Sequence, residues 1–219
     1  FRIGKKGLST APYQLLPLEN YGAFARTDPP KGADSVKREV TLDPGWTFTG
    51  SVLGPDGKPL AGTRSNGLTG WGWGKRKGTE TAEFTVGGFN PRRPRDLIFR
   101  HQEMGLVALA QPPKENGGTV TVRMQPGARV TGRLVDAAGR QRAGVELEVS
   151  FRLKDDSRWC LQYSPKRIKT DRRGRFEIEA LLPGYEFRLS DGESELPLGG
   201  PLRLGQTKDL GDVRLKPSH

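Results

Sequence analysis

Few side chains in this sequence have the chemistry of a catalyst. Nucleophile–histidine catalysis needs an imidazole, and the chain holds two histidines, His101 and the terminal His219. His101 ends the run Leu97-Ile98-Phe99-Arg100-His101, which reads as a strand, so a structural histidine is expected there rather than a general base. The single cysteine, Cys160, lies in the strand-like run Arg158-Trp159-Cys160-Leu161-Gln162-Tyr163. A thiol in that setting is expected to be buried and inert, and one cysteine forms no intramolecular disulfide. No C-x-x-C or H-E-x-x-H spacing offers zinc ligands. The acidic pairs Asp155-Asp156 and Glu193/Glu195 have the chemistry of a weak calcium site, but solvated turns are the plainer reading. The expectation is a non-enzymatic protein without metal, cofactor or catalytic residue.

Residues suited to binding are more numerous. Trp71 and Trp73, in Gly70-Trp71-Gly72-Trp73-Gly74, would share one face of a strand. On a surface they would stack on a sugar ring or a base, and in a core they would simply pack, which is the reading preferred here. The glycines between them make no phosphate loop, because the Lys-Ser/Thr pair and a following helix are missing. Basic residues crowd Lys75-Arg76-Lys77, Arg92-Arg93-Pro94-Arg95, and Lys166-Arg167 through Lys169, Arg172, Arg173 and Arg175. With a formal net charge of +11 the chain is drawn to anions such as nucleic acid, acidic polysaccharide or lipid headgroups. Counterion release would supply the affinity, yet no recognised nucleic-acid fold accompanies the charge, and solvated loops are the simpler reading. The candidate ligand-binding set is therefore Trp71, Trp73, Lys75, Arg76, Lys77, Arg92, Arg93, Lys166 and Arg167.

The elements that would carry these residues are strands. Apolar residues alternate in Trp46, Phe48 and Val52, and again in Val145, Leu147, Val149, Phe151 and Leu153. Period two means strands with one face in a core. The 30 glycines and 17 prolines punctuate short strands rather than long helices, and Gly54-Pro55-Asp56-Gly57 and Asp171-Arg172-Arg173-Gly174 have tight-turn chemistry. No apolar run approaches the roughly 20 residues of a membrane span, and no secretory leader is visible at the start. From the first residue, Phe1, the expectation is a processed product or a piece of a longer polypeptide.

The organising feature is an internal repeat. Shifting the chain by 82 positions places Val40-Thr41-Leu42-Asp43-Pro44-Gly45-Trp46-Thr47-Phe48-Thr49-Gly50 on Val122-Arg123-Met124-Gln125-Pro126-Gly127-Ala128-Arg129-Val130-Thr131-Gly132 without a gap. Farther on, Phe84 to Pro91 matches Phe176 to Pro183 at a shift of 92, so the second copy is expected to hold an elongated hairpin between Gly144 and Phe176. The division that follows is residues 1–34 as an extended segment, 35–125 as a first sandwich and 126–219 as a second. Pro126-Gly127 is too short for a flexible linker, so the two sandwiches are expected to touch. The extended segment would either end a preceding domain or add an edge strand to the first sandwich.

Several of these stretches resemble the carboxypeptidase-regulatory-like domains of bacteria. They are Phe48-Thr49-Gly50-Ser51-Val52, Asp56-Gly57-Lys58-Pro59-Leu60-Ala61-Gly62, Val130-Thr131-Gly132-Arg133-Leu134-Val135-Asp136, Thr170-Asp171-Arg172-Arg173-Gly174-Arg175-Phe176 and Leu182-Pro183-Gly184-Tyr185. The second copy follows the pattern well. The first departs from it, with Lys77-Gly78-Thr79-Glu80 and Asn90-Pro91-Arg92-Arg93 in place of the hairpin and Leu-Pro-Gly motifs. The resemblance implies two tandem antiparallel immunoglobulin-like or transthyretin-like sandwiches within a larger bacterial protein. It also implies an extracytoplasmic setting and a spacer, display or protein-docking role, with a neighbouring domain or another protein as partner. Carbohydrate binding through exposed tryptophans and polyanion binding through the basic loops are the two rival readings.

Overall fold

The computed structural model describes residues 2–4, 35–37, 44–68, 80–92, 94–152, 159–160, 168–199 and 202–217. Every regular element among them is a strand, so the fold is all-β. At the start, β1 (Arg2–Gly4) pairs antiparallel with β2 (Ser35–Lys37). The following strands are β3 (Trp46–Leu53), β4 (Arg64–Asn66), β5 (Glu83–Phe89), β6 (Leu97–His101), β7 (Leu106–Ala110), β8 (Thr119–Arg123) and β9 (Gln125–Pro126). The remainder are β10 (Ala128–Leu134), β11 (Glu146–Arg152), β12 (Trp159–Cys160), β13 (Ile168–Lys169), β14 (Arg175–Leu181), β15 (Glu186–Ser190), β16 (Ser194–Pro197), β17 (Thr207–Val213) and β18 (Lys216–Pro217).

These strands make a tandem β-sandwich. A sheet ordered β5-β3-β8 packs on one ordered β4-β6-β7-β9, and a sheet ordered β14-β10-β17 packs on β12-β11-β15-β16-β18, with β13 also on β11. The alternation seen in the sequence decides which face turns inward. Phe48 and Val52 are buried while Thr47 and Thr49 are exposed, and Leu147, Val149 and Phe151 are buried beside an exposed Glu146. The hairpin insertion expected after Gly144 is carried by β11, on which both β12 and β13 pair.

The two three-stranded sheets have one topology. In each, the central strand pairs antiparallel on one side (β3 with β5, β10 with β14) and parallel on the other (β3 with β8, β10 with β17). Each antiparallel ladder is irregular at the same place, between Trp46 and Phe48 and between Ala128 and Val130. The residue that absorbs the irregularity is Gly88 at φ +58° in one copy and Ala180 at φ +56° in the other. A left-handed backbone is open to glycine and costs an L-residue roughly 1–2 kcal/mol, so the second copy holds local strain that the first avoids.

The Thr-Gly pair common to both copies has a packing reason. Gly50 is paired with Phe84 and Gly132 with Phe176 across their ladders. A Cβ on Gly50 would come within 2.3 Å of the Phe84 ring, and one on Gly132 within 2.7 Å of the Phe176 ring. Each phenylalanine thus lies over the bare backbone of its cross-strand glycine and covers it from water. Replacing either glycine by alanine forces the ring off its site. Gly50→Ala and Gly132→Ala are each expected to destabilise by about 1–3 kcal/mol, and Gly88→Ala by about 1–2 kcal/mol, measured by urea unfolding of the single variants.

Candidate functional site

Of the nine candidate binding residues, Trp71, Trp73, Lys75, Arg76, Lys77, Arg93, Lys166 and Arg167 lie outside the described residues. Arg92 is exposed in the turn after β5. It lines an open recess of about 430 Å³ with Gly45, Trp46, Asn90, Pro91 and Asn116. Trp46 is half-buried, with part of its indole packed on the first core. Asn90 Oδ1 accepts the Arg92 N–H at 2.9 Å and Asn116 Oδ1 accepts the Thr47 N–H at 2.8 Å. With both amide oxygens engaged on the backbone, the polar groups the recess can offer a ligand are chiefly donors.

Arg95, grouped with Arg92 in the sequence as an anion-binding residue, has a different role. Its Nε donates to Gly67 O, Nη1 to Gly88 O and Nη2 to Gly87 O, each at 2.6 Å. The guanidinium lies 5.4 Å from the centroid of the Phe89 ring, and burial lowers its pKa from the usual arginine value. A guanidinium engaged by carbonyls on every nitrogen ties the residue after β4 to the end of β5 and has little left for a ligand. Other arginines pair with the chain's own carboxylates: Arg129 with Glu177 and Glu179, Arg133 with Asp212, Arg142 with Asp191, Arg152 with Glu186, and Arg188 with Glu195. Exposed pairs of this kind add little stability, but they take these cations out of any anion-binding surface. His101 ends β6, and its buried Nδ1 makes no hydrogen bond among the described residues, so none of their carboxylates holds that nitrogen as the orienting group of a general base would. Among the described residues no group of three or more His, Cys, Asp or Glu is placed to hold a metal ion, and no helix is long and apolar enough to cross a membrane.

The Thr170-Asp171-Arg172-Arg173-Gly174 motif is a hydrogen-bonded clamp. Thr170 is buried; its hydroxyl accepts the Val145 N–H at 2.9 Å and donates to Arg142 O at 2.8 Å. Asp171 Oδ1 accepts the N–H groups of Arg173 and Arg175, both at 2.8 Å, and Gly174 closes the turn onto Asp171 O. Asp136 builds the same turn with Ala138 and Arg140. Backbone N–H groups, foremost those of Arg140 and Arg175, hold the Asp136 and Asp171 carboxyls below the usual range.

The most extensive constellation of side chains lies between the sandwiches. Strand β9 straddles the junction expected between 125 and 126 and pairs with β7, Gln125 opposite Val107 and Pro126 opposite Leu106. Gly127 N–H donates to Gly105 O at 2.8 Å. Leu97 and Phe99 of β6 face the first core, whereas Ile98 and Val107, both 0% exposed, belong to the second core with Ala128, Leu182 and Tyr185. The Tyr185 hydroxyl donates to Asp96 Oδ2 at 2.5 Å. Sequence reasoning placed the contact at Pro126-Gly127 and read Leu182 to Tyr185 as a family motif, but it gave Asp96, Ile98, Val107 and Tyr185 no role in the junction. The available signal was the unbroken apolar runs Leu97-Ile98-Phe99 and Leu106-Val107-Ala108-Leu109-Ala110, which lack the polar alternation of a strand with a wet face.

Fold and junction together define the class, a tandem β-sandwich with one shared boundary layer. No protein-family model matches the chain, and no curated protein matches it in sequence. Among solved structures it is similar to a streptococcal ancillary pilin (14% identity over 79% of this chain and 63% of that one, TM-score 0.30). It is also similar to the pilus backbone protein of Streptococcus pneumoniae (12% identity, 78% and 64%, TM-score 0.27). A third is the shaft pilin of Lactobacillus rhamnosus GG (11% identity, 80% and 98%, TM-score 0.28). The chain spans less than two thirds of the first two. Superpositions this loose transfer neither a family nor an activity.

Two measurements check the site chemistry. Thr170→Val removes the clamp hydroxyl and is expected to cost about 1–3 kcal/mol in urea unfolding. Because folding lowers the pKa of Asp136 and Asp171, their stabilising effect is full above the unfolded value of about 3.9 and is lost as pH falls through the folded value. The double variant Asp136→Ala, Asp171→Ala is expected to melt well below wild type at neutral pH, with the gap closing as the pH is lowered towards about 2.

Proposed function

We propose that this chain is a non-enzymatic structural module of a larger bacterial protein. It consists of two sandwiches of the carboxypeptidase-regulatory-like kind, residues 35–125 and 126–219, preceded by the extended segment 1–34. Held as one rigid spacer, they position or dock a neighbouring domain or protein in an extracytoplasmic setting. The observation that carries this reading is the junction. Full burial of a side chain such as Ile98 or Val107 is worth about 1.5–3 kcal/mol, and a hydrogen bond to a charged group such as that from Tyr185 to Asp96 adds about 1.5–3 kcal/mol. An opposing free energy of about 5 kcal/mol leaves roughly one molecule in several thousand open at the junction. Rigidity of that order suits a spacer. Polyanion binding is the weaker reading, because Arg95 is saturated by carbonyls and Arg129, Arg133, Arg142, Arg152 and Arg188 face carboxylates of their own chain.

Backbone nitrogen relaxation by NMR tests the reading. Amides of β3 and β10 are expected to report one common tumbling time. In the variant Val107→Asp, Tyr185→Phe, the two sandwiches are expected to tumble faster and separately. Two tumbling times in the wild-type chain would refute the rigid spacer.

A further inference from the structure

Two asparagines of the chain precede glycine, Asn66-Gly67 and Asn116-Gly117. That dipeptide has a chemistry of its own. The backbone nitrogen of the glycine, unshielded by a side chain, attacks the asparagine Cγ, closes a succinimide ring and expels ammonia. Asn90 precedes Pro91, which has no N–H and takes no such part. The reaction needs the asparagine side chain to fold back over the next peptide bond, so local freedom sets its rate. The structure treats the two Asn-Gly pairs differently.

Asn66-Gly67 is pinned. Asn66 is the last residue of β4 and pairs with Ile98 of β6, the strand that lies between the two cores. Gly67 O accepts Arg95 Nε at 2.6 Å, and a Cβ on Gly67 would come within 2.2 Å of Asp96 O. Turning the Asn66 side chain onto Gly67 N therefore requires the end of β4 to leave β6 and Arg95 together.

Asn116-Gly117 is held by a single rung. Both residues are exposed in the turn before β8, and Gly117, at φ +81°, has open space where a Cβ would stand. The parallel ladder of β3 with β8 begins at Thr49 opposite Thr119, with Thr49 N–H on Gly118 O at 3.3 Å. Beyond it, Gly117 N–H donates to Thr47 O at 2.9 Å, and Asn116 Oδ1 takes the place of a main-chain carbonyl in accepting Thr47 N–H at 2.8 Å. The attacking nitrogen and the attacked amide are thus both tied to Thr47, and they meet once that terminal rung opens. Opening free energies run from near zero at frayed ends to the global value in the core, so this rung opens far more often than β4 leaves β6.

We propose that Asn116 is a self-modification site of the folded chain. Gly117 N gives its proton to hydroxide and bonds to Asn116 Cγ. The Cγ–Nδ2 bond breaks, and the nitrogen leaves as ammonia with a proton taken from water. Water then adds to one carbonyl of the succinimide and opens it to aspartate or isoaspartate, with no oxidant or cofactor. Either product replaces a neutral amide by a carboxylate. In isoaspartate the main chain runs through Cβ and Cγ and the free carboxylate sits on Cα, which displaces the acceptor of Thr47 N–H and unties the start of β3. The change is covalent and lasting, and it falls at the end of β8 away from β9.

Peptide mass spectrometry of the full chain, incubated at mildly alkaline pH with and without urea, tests it. In the folded chain Asn116 is expected to convert at least about tenfold faster than Asn66, equivalent to a difference of 1.4 kcal/mol in opening free energy. In urea the two are expected to convert at similar rates. The Thr47 amide of the isoaspartate form is expected to exchange hydrogen faster than in the unconverted chain, with the amides of β10 unchanged. Equal rates at Asn66 and Asn116 in the folded chain, or a preference for Asn116 that is as large in urea, overturns the proposal. A Thr47 amide that stays equally protected after conversion to isoaspartate overturns the untying of β3.

Discussion

The structure depends on a sheet that is dry on both sides. Strands β6 and β7 turn Leu97, Phe99, Leu106 and Ala108 into the first core and Ile98 and Val107 into the second. An antiparallel sheet with one face on its own sandwich normally gives the other to water. Here a second sandwich covers it, and the connecting residues are themselves a strand of the same sheet. The boundary between the sandwiches is thus hydrogen-bonded and apolar like an interior, and the connection has no slack in which to bend.

Around that layer each sandwich is built by local devices that leave little to chance. A glycine under a cross-strand phenylalanine lets β3 lie close to β5, and the same pair brings β10 close to β14. Aspartates that collect backbone N–H groups set the hairpins, and Arg95 gathers carbonyls from the end of β5 and from the residue after β4. The surface ion pairs are numerous but exposed, and they weigh less than these buried contacts. Each pairs an arginine with a carboxylate already counted in the net charge, so they leave the +11 unchanged.

Much of the fold was legible in the sequence because its signals are local. Period-two alternation, the Asp-to-Gly turns and the shift of 82 follow from residues close in the chain, and the matching Pro-Gly and Thr-Gly pairs lie at matching places in the two sheets. The site was less legible because it is made by distant residues. Nothing near Arg95 announces that the carbonyls of Gly67 and Gly87 converge on it, and nothing near Tyr185 points to Asp96. Trp71 and Trp73 drew notice as a pair, while the half-exposed indole beside Arg92 is Trp46, an unremarkable member of an alternating strand.

The central claim is that the two sandwiches are one cooperative body. Native-state hydrogen exchange measures it directly, because slow amides report the free energy of the opening that exposes them. The account predicts that the slowest amides of β6 in the first sandwich and β11 in the second exchange with the same free energy, and that Val107→Ala lowers both together. Two distinct free energies, with Val107→Ala lowering only the first, would contradict it.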